Sequence, residues 1–280
     1  MKINRRTWLG GAAALGMAAF GAPSLAAEER NEIEFGKVDG ESLTLDAYVP
    51  EGKGPFPTAI LVHGGGFING TKRSYITPIF EPLSRAGFAW FTINYRLAPQ
   101  HRYPACVEDV ERAVRWVKQH AAEYHADPRR IALIGESAGG HLVSMVGARG
   151  RGETAVAAVV PFYAPHDLEY QAREKGGLGR SLSALFGLTE LDDAARKTLR
   201  DGSPSSYVRK GMPPYLLIHG TEDEQVPYAQ STRFQEQMKA AGNTCDLYTI
   251  PNGRHGMGGW DSFHPQYKQA MTDWLRRTLG

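Results

Sequence analysis

Cysteine is scarce in this chain: Cys106 and Cys245 are the only two in 280 residues, and they lie far apart. That excludes a disulfide framework and a thiolate metal cluster. The pair reads as two ordinary buried thiols, with a single bridge as the alternative. The nine histidines are scattered, with no H-x-x-x-H spacing, so no metal site and no cofactor are expected. A dominant sign of charge is also missing: 32 basic residues face 30 acidic ones, and no block of like charge stands out. Nucleic acid is therefore not an expected partner. Repeats and low-complexity tracts are absent after residue 27. No apolar run suits a permanent membrane span, because the candidate stretch, 10–20, is short and rich in glycine.

What is present suits one large soluble α/β domain, since 42% of the residues are hydrophobic and 22% charged. Residues 1–26 read as an export signal. A basic start with Arg5-Arg6 precedes the weakly apolar 10–20 stretch, and Ser24-Leu25-Ala26 offers a small-x-small cleavage site. The pattern resembles a twin-arginine signal, with Trp8 where phenylalanine is usual. The expected destination of the domain, 27–280, is the periplasm or the outside. Lys2, Arg5 and Arg6 are the leader's only charges, so cleavage would leave a slightly acidic protein.

Along the domain, 32–38 and 42–49 alternate apolar and polar residues, as a half-buried antiparallel pair does. Apolar strands at 58–62, 88–95, 130–134, 155–162, 215–220 and 245–250 then alternate with helices, among them 107–121, 228–241 and 266–279. This rhythm predicts an α/β fold, with a mostly parallel eight-stranded sheet flanked by helices. One strand runs into Gly135-Glu136-Ser137-Ala138-Gly139 and then into a helix. Strand, tight turn and helix form the setting of a nucleophile elbow. There Ser137 would be strained, and a side chain at either glycine would collide with its surroundings. A second strand ends in His63-Gly64-Gly65-Gly66-Phe67, whose backbone N–H groups could face a developing oxyanion. No phosphate-loop or dinucleotide spacing follows it. Two further strands end at Thr221-Glu222-Asp223-Glu224 and at Arg254-His255-Gly256. Serine, acid and histidine thus follow one another, each beyond the end of its own strand.

These motifs, with Asn94-Tyr95-Arg96-Leu97-Ala98-Pro99 and Asp127-Pro128-Arg129-Arg130-Ile131, resemble the HGGG-type serine esterases of the α/β-hydrolase superfamily, from about Glu34 to the C-terminus. Glu136 and His141 depart from the elbow of the hormone-sensitive-lipase-like branch, and few residues are left before Glu32 for that branch's helical cap. The compact acetyl-xylan and feruloyl esterases are the more similar branch. The resemblance implies a catalytic triad of Ser137, Asp223 and His255, with Asp223 preferred over Glu222 and Glu224 by its D-x-x-V-P turn. It also implies oxyanion donors at Gly65, Gly66 and Ala138. It implies cleavage of short-chain carboxylic esters through an acyl-serine, with acetylated or feruloylated plant-wall sugars as the leading substrates. Amide hydrolysis, as in kynurenine formamidase or an oligopeptidase, and a non-catalytic binding protein on the same fold are the alternatives. His63 is expected to anchor its loop, and His141, His219, Asp109 and Trp116 to be structural. His264 is expected to cap a helix or lie at the surface. The strandless segment 166–212, between the sixth and seventh strands, is expected to form a small cap with Leu182, Leu185 and Phe186 walling the pocket.

Overall fold

The computed structural model describes residues 26–280, so all of the expected leader but Ala26 lies outside the described residues. The eight expected strands are present. β1 (Glu28–Val38) and β2 (Glu41–Val49) form the antiparallel pair. They are joined through Asp39 and Gly40, whose φ values of 52° and 85° are those of a tight two-residue hairpin turn. β3 (Phe56–Val62), α1 (Phe80–Arg85), β4 (Ala89–Ile93), α2 (Ala105–Gln119), β5 (Ala126–Glu136), α3 (Ala138–Arg149) and β6 (Ala158–Phe162) follow. Then come α4 (Leu168–Glu174), α5 (Gly179–Phe186), α6 (Asp193–Asp201), β7 (Tyr215–Gly220), α7 (Ala229–Ala240), β8 (Cys245–Ile250) and α8 (Gln266–Leu279).

The sheet order is β1-β2-β4-β3-β5-β6-β7-β8, parallel from β4 to β8. Its continuous apolar strands are explained by burial on both faces. Ile60 and Val62 of β3 and Ile131 and Leu133 of β5 enter one core layer, with α2, α3 and α7. Ala59, Leu61, Ala132 and Ile134 enter the other, with α8. Helix α1 has six residues with Pro82 inside them, too short for a periodic signal. The chain leaves β3 in one direction and β5 in the other. The crevice at the C-terminal ends of these two strands is where an open α/β sheet binds its ligand.

Two buried polar clusters pin the loops around that crevice. Arg96, after β4, meets Asp109 of α2 through Nη2–Oδ1 at 2.8 Å and Nε–Oδ2 at 2.9 Å. His63 stacks on Tyr95 with centroids 4.4 Å apart. Tyr95 Oη donates to the carbonyls of His63 and Gly64 at 3.1 and 3.2 Å. Cys106 and Cys245 are free and buried. Among the described residues, no helix is long and apolar enough to cross a membrane.

Burial makes the fold sensitive to acid. It pushes His63 and His141 down to about 4 and His166 well below its ordinary 6.5. These rings stay neutral in the folded protein, whereas an unfolded chain protonates them below about 6.5. The unfolded state therefore binds more protons between about 4 and 6.5, and stability falls as pH drops through that window. Glu136 acts oppositely: burial raises it from 4.5 to about 7, which favours the folded state at the acid end. Three histidines outweigh one carboxyl. The free energy of unfolding should therefore fall between pH 7 and pH 5, by up to about 1.4 kcal/mol per pH unit for each net proton, and the urea midpoint should fall with it. His141→Gln should flatten the profile. Urea titrations at both pH values check this, and a midpoint that does not fall would contradict it.

Candidate active site

Ser137 stands between the last residue of β5 and the first of α3, at φ 52° and ψ −117°. Such a backbone costs a serine about 1–3 kcal/mol, so the surroundings must impose it. Its N–H donates to Phe162 O of β6 at 2.9 Å, and its carbonyl accepts the His141 N–H at 3.0 Å. The flanking glycines are steric necessities. A Cβ at Gly135 would strike the Gly139 backbone, and one at Gly139 would strike the carbonyls of Val62 and His63 at the end of β3.

The structure brings Ser137, His255 and Asp223 into one chain of hydrogen bonds. His255, beyond β8, lies with Nε2 2.9 Å from Ser137 Oγ and Nδ1 2.7 Å from Asp223 Oδ2. Asp223, beyond β7, accepts the N–H groups of Gln225 and Val226 on Oδ1, both at 2.8 Å. Glu222 and Glu224 take no part in this chain. Burial alone would raise the Asp223 carboxyl, but hydrogen bonds from His219 and His255 and the Val226 N–H outweigh it and hold the group ionised. An ionised Asp223 fixes the imidazole with Nε2 free to take the serine proton, and it stabilises the imidazolium that results.

Sequence reasoning missed the part of His219 in this arrangement. The ring is fully buried in β7, with Nε2 3.3 Å from Asp223 Oδ2 and 3.0 Å from Val226 O. Its Nδ1 lies 2.7 Å from Ser231 Oγ of α7. Since Val226 O can only accept, Nε2 carries the proton and also faces the carboxylate. The only sequence signal was a histidine four residues before the acid.

Gly65 (φ 98°), Gly66 (φ 63°) and Ala138 line the cavity with Ser137. Their N–H groups donate to no atom of the described residues, so they are available to an oxyanion. The Glu136 carboxylate accepts the Gly64 N–H and meets the Tyr163 hydroxyl. Tyr163 Oη in turn accepts the Met257 N–H at 3.1 Å, and its ring lies 4.7 Å from His255. A buried carboxyl beside Ser137 thus links the glycine loop to the histidine loop. His264 sits apart, 3.0 Å from Tyr248 Oη. Among the described residues, no group of three or more His, Cys, Asp or Glu side chains is placed to hold a metal ion.

The cavity over Ser137 measures about 700 Å³. Residues 166–212 supply one wall through α4 and α5, where Leu168 and Leu182 line the space. The Ser181 hydroxyl lies where a Cβ on Gly66 would project. Two residues expected at the pocket lie elsewhere. Leu185 is fully buried in the sheet-side core, and Phe186 packs on Tyr103 with centroids 5.0 Å apart. Helix α5 rests on the domain through these two, so only its first turn and Leu182 reach the cavity.

Comparison with known proteins places this geometry in context. The BD-FAE family model matches residues 45–238. A probable carboxylic ester hydrolase, LipM of Mycobacterium tuberculosis, is 30% identical over 213 residues, covering 72% of this chain and 49% of LipM. The acetylxylan esterase of Xylanibacter ruminicola is 27% identical over 287 residues, covering 98% of this chain and 55% of that protein. The chain thus spans about half the length of these curated relatives. The solved structure of a truncated carbohydrate esterase from gut microbiota superimposes with a TM-score of 0.79 at 26% identity, covering 92% of this chain and 98% of that one.

The His219 contact predicts a measurable effect on the serine. A hydrogen bond to a charged group contributes about 1.5–3 kcal/mol. His219→Leu should therefore slow labelling of Ser137 by a fluorophosphonate about tenfold or more, while His219→Gln, which can still donate, should recover most of the rate. An unchanged labelling rate in a folded His219→Leu protein would remove His219 from the arrangement.

Proposed function

This chain belongs to the BD-FAE family of α/β-hydrolases, and we propose that it is a serine carboxylic ester hydrolase acting through an acyl-serine intermediate. The observation that carries the reading is the continuous Ser137–His255–Asp223 hydrogen-bond chain beside three available N–H groups in one cavity. His255 Nε2 takes the Ser137 proton as Oγ attacks the ester carbonyl. The N–H groups of Ala138, Gly65 and Gly66 receive the oxyanion, a type of contact worth about 3–4 kcal/mol per donor in related chemistry. Collapse expels the alcohol, which takes the proton back from His255. Water, activated by the same imidazole, then releases the acid.

Acetylated or feruloylated carbohydrate is the substrate class this reading favours. Its support is the similarity to the Xylanibacter acetylxylan esterase and to the carbohydrate esterase structure. Export is a further part of the proposal, supported by Arg5-Arg6 and Ser24-Leu25-Ala26. Replacing both arginines by lysine should retain the precursor in the cytoplasm, as fractionation would reveal. Unimpaired export of that variant would remove the twin-arginine route.

Two measurements test the chemistry. Ser137→Ala should lower kcat by several orders of magnitude without unfolding the protein; retention of a tenth of the activity would move the nucleophile elsewhere. Among nitrophenyl esters, acetate and butyrate should outrun decanoate. Leu182→Ala should shift the acetyl-to-butyryl ratio of kcat/KM by about tenfold, the range of a few pocket methylenes. An acyl profile identical to that of the unsubstituted protein would take Leu182 out of the acyl pocket.

A further inference from the structure

The cap carries an arginine that the fold does not use. On its helices, Arg173 lies against Glu174 at 3.5 Å, Arg196 against Glu169 at 3.5 Å, and Arg200 against Glu169 at 2.7 Å. Arg180, in the first turn of α5, is exposed and has no ion pair, hydrogen bond or ring contact among the described residues. It lines the catalytic cavity. Helix stability does not account for a cation there, because the positive end of the helix dipole opposes it and α5 has no acid in its first turn. The residue that follows, Ser181, lies over Gly66, and both line the same cavity as Arg180.

The charge of the wall is one-sided. Lys175 also lines the cavity, its ammonium donating to the Glu224 carbonyl. Among the described residues the only acidic side chain in the lining is Glu136, which is 3% exposed and already held by Gly64 and Tyr163. The Glu222 and Glu224 side chains are not in the lining.

A second observation concerns an aromatic ring at the same cavity. Tyr75 is 58% exposed and held at φ 61°, a conformation uncommon for a bulky residue. Its turn is closed by the Ile76 N–H donating to Ser74 O at 2.6 Å, with the Ile76 side chain fully buried beside it. The ring makes no contact with another ring or hydrogen-bonding group among the described residues, yet it lines the cavity. Strain of this kind gathers at ligand sites, and an exposed ring with a polar tip suits the C–H face of a sugar. The side-chain amides of Asn69 and Gln225, also in the lining, have no partner among the described residues and suit hydroxyl groups.

We infer that the cavity accepts esters of a carbohydrate bearing a carboxylate, with the guanidinium of Arg180 on the carboxylate and the Tyr75 ring against the sugar. The inference rests on the proposed esterase activity and narrows its substrate. An arginine can take a carboxylate through two parallel N–H bonds, which a neutral hydroxymethyl group cannot match.

The test compares two acetyl esters that differ only at that group, a monoacetylated methyl glucuronide and the corresponding methyl glucoside, with nitrophenyl acetate assayed alongside. The full-length protein should favour the glucuronide in kcat/KM by roughly tenfold, mainly through KM. The preference should shrink as salt rises. Arg180→Gln should bring the ratio near one, Arg180→Lys should keep part of it, and Arg180→Glu should invert it. Tyr75→Ala should lower both sugars together and leave their ratio unchanged. Each ratio is internal to one protein, so partial loss of folded material does not distort it. Equal rates on the two sugars, or a ratio unmoved by Arg180→Gln, would overturn the inference. Inertness to both sugars with nitrophenyl acetate still hydrolysed would overturn it and leave the esterase standing. Inertness to all three esters, with no fluorophosphonate labelling, would overturn the activity itself.

Discussion

The close approach of the α3 N-terminus to the end of β3 is the contact on which the site depends. Gly139 sits so near the Val62 and His63 carbonyls that no side chain fits between them. That contact holds Ser137 at φ 52°, because the chain must leave β5 and enter α3 within a single residue. It also sets the glycine loop, which continues from Val62 and His63, beside the Ala138 N–H. One steric constraint thus orients the serine and gathers Gly65, Gly66 and Ala138 around the same cavity. Parallel order supplies the rest: β7 and β8 end on the same edge of the sheet as β5, so Asp223 and His255 arrive from that edge.

Electrostatics reinforces the steric frame. The carboxylate of Asp223 is reached from two sides, by His255 at 2.7 Å and by His219 at 3.3 Å. Glu136 and Tyr163 connect the glycine loop to the loop of His255. Groups that would do chemistry therefore stand on strand ends, tied to the sheet by buried partners. Residues that line the cavity away from the triad, Leu182, Arg180 and Tyr75, come from α5 and the 71–79 segment, outside the sheet. A frame of this kind allows specificity to change without disturbing the triad.

The amino-acid sequence by itself determined the order of elements and picked out the serine, histidine and aspartate that hydrogen bonds join in the fold. Continuous apolar strands such as Thr58-Ala59-Ile60-Leu61-Val62 declare burial on both faces, and the Gly-x-Ser-x-Gly turn is chemistry confined to five residues. Such signals are local, so they survive reading one residue at a time. Helix α1 escaped because six residues with a proline carry no period, and β1 begins four residues before the expected 32 because Glu28, Glu29 and Arg30, which carry no apolar alternation, pair with Val49, Tyr48 and Ala47 of β2. Tertiary structure alone decided which neighbours meet. Leu182 faces the cavity while Leu185 enters the core, though both are apolar residues of one helix. His219 reaches Asp223 across a strand end, and among the described residues Arg180 is left unpaired while Arg196 and Arg200 share Glu169. Each of these depends on distances between side chains set by the packing of separate elements, and a linear pattern holds no record of that packing.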